Sequence, residues 1–95
     1  MDRKDIPGHP GYMAEPDGTI FGKRRENKLH QSVDKFGRPT VCLLMKKGVY
    51  RKYQVSRLIA ETFLPNPNGY WFVLHMDGDN LNNHVDNLKW CDVLK

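Results

Sequence analysis

A histidine that leaves an apolar run and meets a turn built from Asp, Gly and Asn has the makings of a proton-transfer site. Such a stretch is Val73-Leu74-His75-Met76-Asp77-Gly78-Asp79-Asn80-Leu81-Asn82-Asn83-His84-Val85-Asp86-Asn87-Leu88-Lys89-Trp90. An imidazole changes charge near neutral pH, and an amide oxygen beside it fixes which ring nitrogen carries the proton. The turn Asp77-Gly78-Asp79-Asn80 reverses the chain, and residues 86–90 return as an antiparallel partner. That return predicts Asn87 next to His75, its amide oxygen accepting from one ring nitrogen while the other takes a proton from water. Asp77, Asn82 and Asn83 read as loop-structuring residues, because Asp and Asn side chains bond nearby backbone in turns.

The elements before this stretch must position it. Pro7-Gly8, Pro10-Gly11 and Pro16-Asp17-Gly18 punctuate the start of the chain. They leave Tyr12-Met13-Ala14 as a short strand with Thr19-Ile20-Phe21-Gly22 as its hairpin partner. Leu29 to Val33 suggests another short strand. Pro39 to Met45 and Val49 to Val55 are β-prone runs around Lys46-Lys47-Gly48 and predict a second hairpin. The period then changes: Val55, Leu58, Ile59 and Phe63 follow helical spacing, so 56–64 predicts a short helix with Ser56 as N-cap and Pro65 ending it. Beyond the connector 65–69, Tyr70 to Leu74 predicts an aromatic-rich strand that delivers His75.

Length bounds the whole at one domain, since 95 residues sit near the lower end of what buries its own core. Residues 1–54 form a basic β-rich part and residues 55–95 a part built around His75. No apolar run approaches the ~20 residues of a membrane helix, and the polar start Met1-Asp2-Arg3-Lys4-Asp5 is not a secretory signal. The expectation is a soluble, cytoplasmic protein without a membrane partner. Cys42 and Cys91 are too few for a disulfide framework and read as buried thiols. His9, His30 and His84 read as surface residues.

Charge is uneven along the chain. Residues 23–57 carry eleven basic side chains (Lys23, Arg24, Arg25, Lys28, Lys35, Arg38, Lys46, Lys47, Arg51, Lys52 and Arg57) against Glu26 and Asp34, a net +9. The flanks carry four basic and nine acidic side chains, a net −5. A basic middle beside an acidic, Asn-rich end suits a phosphate backbone next to a cation site. The same charges also keep a small sheet soluble, and lysines on an edge strand deter aggregation. Two metal readings fail on spacing. His75, His84, Cys91 and Cys42 match no common zinc pattern. An EF-hand starting at Asp77 meets Asn82 at its sixth position and Leu88 at its twelfth, where glycine and glutamate are required.

The residues 74–80, with Asn82-Asn83 and Asn87-Leu88-Lys89-Trp90, resemble the HNH endonucleases of phage and intron homing type. Lys4-Asp5-Ile6-Pro7-Gly8 through Gly18-Thr19-Ile20 is similar to the small module that precedes such nucleases. Val55-Ser56-Arg57-Leu58-Ile59-Ala60 with Phe63-Leu64-Pro65-Asn66-Pro67 is similar to the helix and connector leading into the HNH unit. The resemblance implies an α+β fold: small β-hairpins, one short helix, then a ββα-metal unit with a shortened or absent final helix. It also implies phosphodiester hydrolysis on DNA, with His75 as general base, Asn87 orienting it, and one divalent ion, Mg²⁺ or Mn²⁺, on the leaving oxygen. DNA contacts would fall on Lys23, Arg24, Arg25, Lys28, Arg38, Lys46, Lys47, Arg51, Lys52 and Arg57.

Two positions depart from that family. The residue before the histidine is usually Asp or Asn, a metal ligand, and here it is Leu74. A second ligand expected about nine residues after Asn87 lies past Lys95. Asp77 and Asp79 are the oxygen donors left to stand in. Two functions therefore remain open: a nicking endonuclease, or a degenerate HNH fold that binds DNA or a protein partner without cutting.

Overall fold

The computed structural model describes residues 3–24 and 26–92. Strand β1 (Lys4–Ile6), β2 (His9–Ala14), β3 (Ile20–Gly22) and β4 (Asn27–Lys28) form an antiparallel four-stranded sheet in chain order. The expected first hairpin is present in register, with Tyr12 opposite Gly22 and Ala14 opposite Ile20. Its neighbours β1 and β4 were not legible, being three and two residues long. A second sheet holds β5 (Ser32–Val33), β6 (Pro39–Lys46) and β7 (Val49–Gln54). The 29–33 strand is thus shorter than its sequence suggests, because Leu29 bonds back to Ile20 O instead (2.8 Å).

Helix α1 (Val55–Phe63) continues straight out of β7. It therefore begins one residue earlier than predicted, and its N-cap is Gln54, which makes no side-chain cap bond. Ser56 lies inside the first turn, buried, so it cannot cap. Pro65 ends the helix region as expected, and Leu64 N closes the last turn on Ala60 O (2.9 Å). The helix sits centrally: Val55, Leu58, Ile59 and Ala60 are fully buried, and the first three meet Ile6, Ala14, Ile20, Val41, Leu43 and Leu88 in one core. Burying each large aliphatic side chain of this set contributes roughly 1.5–3 kcal/mol, so α1 ties the two sheets to the C-terminal segment that carries Leu88. Within β6 the alternation that turns Val41 and Leu43 inward turns Cys42 outward, so Cys42 is exposed rather than buried.

The chain closes with β8 (Phe72–His75), a 3₁₀ turn at Val85–Asn87 and β9 (Leu88–Cys91), the two strands pairing as an antiparallel ribbon. The sequence expected the first of them at 70–74; it starts later because Asn66 holds Tyr70 on both sides, accepting from its amide (2.9 Å) and donating to its carbonyl (2.7 Å). His75 is in consequence part of the ribbon, not a residue beyond it. The fold is α+β, and the closing helix expected after the ribbon falls outside the described residues. No helix among the described residues is long and apolar enough to cross a membrane.

Candidate functional site

Strand alternation decides where His75 points. Val73 and His75 share the inner face of the ribbon with Leu88 and Trp90, which are buried, while Phe72, Leu74 and Lys89 face outward. His75 is half-buried and pairs with Leu88. Its Nε2 lies 2.7 Å from Oδ1 of Asn83, a residue only 5% exposed. With the amide oxygen facing the ring, an acceptor that cannot donate, Nε2 is the donor of this bond, and in the neutral ring the lone pair is then on Nδ1.

The amide at His75 is therefore Asn83, not Asn87. Asn87 precedes the strand residue that pairs with His75, so its side chain is one step off in the alternation and turns into the loop. There it organises the reversal: its Nδ2 donates to Asp77 Oδ1 (2.9 Å) and to Asn82 O (2.9 Å), and its Oδ1 accepts from Asp77 N (3.0 Å). Asp77 and Asn82, read from the sequence as loop-structuring, both take part in this network. Asp77 accepts from Asp79 N (2.8 Å) and from Asn82 Nδ2 (2.9 Å). These bonds, Asn82's first, then the Asp79 amide and Asn87, hold the Asp77 carboxyl below its ordinary value.

Asn83 is itself braced from the far end of the chain. The Pro16-Asp17-Gly18 turn of the first hairpin packs on it: Pro16 O accepts from Val85 N (2.7 Å), and a Cβ on Gly18 would meet Asn83 O at 3.1 Å. Gly18 sits at φ +97°, where other residues are strained. Asp17 caps this turn by accepting from Thr19 N (2.9 Å), and the bond to Thr19 lowers its carboxyl. Gln31 donates to Gly18 O (2.8 Å). A contact between Gly18 and Asn83, 65 positions apart in sequence, leaves no local periodicity, so this brace could not be read beforehand; the His75–Asn83 pair, eight residues apart, depends on it and on the ribbon register.

The described residues do not fit a divalent ion. Leu74, where the resemblance implies an oxygen ligand, is aliphatic and 39% exposed on the outer face. Both carboxylate oxygens of Asp77 already accept loop donors, and Asp79 Oδ1 accepts from Leu81 N (3.0 Å). Among the described residues no three His, Cys, Asp or Glu side chains come together as a ligand set. Cys91 is half-buried, and His84 is used as an acceptor, its Nδ1 capping the 3₁₀ turn at Asp86 N (3.1 Å). His9 is not on the open surface but half-buried, edge-on to Tyr53 with ring centres 4.7 Å apart.

Six of the basic side chains gather in two places. Arg38, Lys52 and Arg57 line a groove of about 690 Å³ that includes His75 and no carboxylate. Arg57 is half committed: it donates to Trp71 O and lies 3.7 Å from Glu61. Arg24 and Lys46 border a second cleft of about 560 Å³ between the two sheets, at the tip of the β6–β7 hairpin, with Lys47 in the hairpin turn. Arg51 is exposed on β7, and Lys28 is exposed beside Asp17. Lys23 pairs with Asp5 (3.3 Å). Arg25 lies outside the described residues.

Comparison with known proteins gives the arrangement a context. No protein-family model matches the chain. It is 35% identical over 86 residues to the uncharacterized HNH endonuclease L245 of Acanthamoeba polyphaga mimivirus, covering 90% of this chain and 26% of that protein. It is 32% identical over 91 residues to the DNA endonuclease I-HmuI of Bacillus phage SP01, covering 95% of this chain and 52% of that protein. A solved structure of the HNH homing endonuclease I-HmuI, described for DNA binding and cleavage, superimposes with a TM-score of 0.84 at 32% identity, over 96% of this chain and 52% of that one. The chain thus spans about half, or about a quarter, of the length of these relatives. In sequence and in fold it is similar to part of these HNH endonucleases.

Proposed function

We propose that this chain works as an HNH-type DNA endonuclease that nicks one strand, with His75 as general base. The observation that supports this most is the Asn83 bond to Nε2, which leaves Nδ1 as the free acceptor beside a basic groove. A water at Nδ1 passes its proton to the ring as its oxygen forms a bond to phosphorus. The bond from phosphorus to the leaving sugar oxygen then breaks, that oxygen takes a proton from solvent water, and His75 gives the proton it accepted back to solvent, so that the strand opens and the base is restored. A positioned base of this kind contributes typically 10²–10⁴-fold. Arg38 and Lys52 in the groove suit phosphate oxygens of the same strand, and one base serves one scissile bond, hence a nick.

The test uses supercoiled plasmid with Mg²⁺ or Mn²⁺ in the buffer, comparing the protein with His75→Ala. Nicked circles formed by the first and not by the second support the reading; equal nicking, or none from either, overturns it. A second reading is favoured by Leu74: an outward aliphatic side chain with nothing to offer a cation suits a module that binds DNA, or a protein partner, without hydrolysis. Its signature is no nicking by either protein, with DNA retention that falls steeply as salt rises.

A further inference from the structure

The groove beside His75 carries a feature that a duplex backbone does not use. Two of the most exposed large apolar side chains, Trp71 (69%) and Phe36 (61%), both line it. They come from separate parts of the chain, Phe36 from the turn before β6 and Trp71 from the approach to β8. An exposed ring by itself is ordinary. Two rings lining one groove, each attended by a guanidinium, are a more specific arrangement. The Arg57 guanidinium lies 4.3 Å from the Trp71 ring centre and that of Arg38 4.9 Å from the Phe36 ring centre.

We propose that this groove is a stacking platform for unpaired DNA, with Trp71 and Phe36 as the surfaces that receive bases. The inference rests on the proposed action on DNA and names the form of DNA that the site prefers. Phe36 also has the Lys35 ammonium 5.2 Å from its ring centre, yet both rings keep most of their surface exposed, and every base has a π-face to lay on exposed aromatic surface. In a paired duplex those faces are already stacked, so the platform acts only on a single strand, a bubble or a distorted step. Both rings are carried on ordered backbone. The Trp71 carbonyl accepts from Arg57. The turn under Phe36 is held by Asp34, whose Oδ1 accepts from Phe36 N (2.9 Å) and Arg38 N (3.0 Å). Lys52 and Arg38 line the same groove and supply positive charge for the phosphates between stacked bases. No hydrogen-bonding pattern selects one base, so the preference is for strandedness and not for sequence.

The experiment measures binding of fluorescein-labelled oligothymidylate, and of a duplex of equal length, to the full chain by anisotropy at fixed salt. Trp71→Ala and Phe36→Ala each weaken single-strand binding by at least about fivefold, the lower end of what one base stack contributes, and weaken duplex binding less. Trp71→Phe restores most of the affinity. Far-UV circular dichroism reports folding, and the Trp71→Ala variant keeps the carbonyl that Arg57 needs. Unchanged single-strand affinity in both variants overturns the platform, and if plasmid nicking still depends on His75 the nuclease reading stands without it. Equal losses on single strand and duplex also overturn it, as does self-association of the chain that vanishes in Trp71→Ala with no oligonucleotide binding.

Discussion

The loop around His75 and the basic surface around the β6–β7 hairpin are built on opposite principles. Between His75 and Asn87 the polar side chains hold one another: Asp77 and Asn87 exchange bonds, Asn82 braces Asp77, and Asn83 holds His75. Along the hairpin, Lys46, Lys47, Arg51 and Lys52 are exposed and interchangeable as charges. The first region acts by geometry and so tolerates little change. The second acts by summed potential, and losing one member costs a fraction. The proposed nicking calls for the first kind of construction and the proposed hold on DNA for the second.

Substitutions separate them. Removing the amide at Asn83→Ala leaves a half-buried imidazole nitrogen without its partner and should cost about 1–3 kcal/mol of stability. Nicking should fall by at least about tenfold while DNA retention stays near that of the parent. Thermal melts and filter retention on one preparation check both, and retention that falls together with nicking would erase the distinction between the regions. Gly18→Ala should act next most strongly, at about 1–2 kcal/mol for a non-glycine residue in the left-handed region, because it also presses on Asn83 from across the molecule. Lower nicking from a residue that does not contact His75 is the expected outcome; unchanged melting and nicking would show that the brace is idle.

Smaller effects sharpen the other side. Replacing Lys46 and Lys47 together by alanine should reduce the slope of log affinity against log salt by about 1.8, if each meets one phosphate. His75-dependent nicking at low salt should hardly change. Plasmid retention across a salt series measures it, and an unaltered slope would exclude the hairpin tip from the contact. The smallest effect is on pH. The Asp77 carboxyl is held below its ordinary 3.8 in the folded loop, so its stabilisation is fully present above that value and is withdrawn as pH falls through and below it. Melting temperature should drop less between pH 6 and pH 3 in Asp77→Asn than in the parent chain, whose remaining acid sensitivity includes Asp17 and Asp34. Identical drops would remove Asp77 from the linkage.

Local chemistry made much of this molecule legible. The Pro16-Asp17-Gly18 turn, the β6–β7 hairpin and the helical stripe Val55, Leu58, Ile59 are set by neighbours in sequence, and the structure has all three. The two-residue strands β4 and β5 escape because so short a run carries no periodicity. At the site, the turn and its Asp77 were readable from Asp-Gly-Asp-Asn, but the partner of His75 was not. Choosing between Asn83 and Asn87 requires the ribbon register, which places Leu88 opposite His75. Recognising that Asn83 is buried requires the first hairpin, which reaches it from residues 16–18.

The central claim is a tautomer: His75 protonated at Nε2 by virtue of Asn83, with Nδ1 free to accept. Long-range ¹H–¹⁵N correlation spectra of the uniformly ¹⁵N-labelled chain, above the titration of its histidines, read this directly. A pyrrole-like Nε2 and a pyridine-like Nδ1 at His75, giving way to tautomer averaging in Asn83→Ala, is the expected result. A pyridine-like Nε2 in the parent chain, or a pattern indifferent to Asn83→Ala, would contradict it.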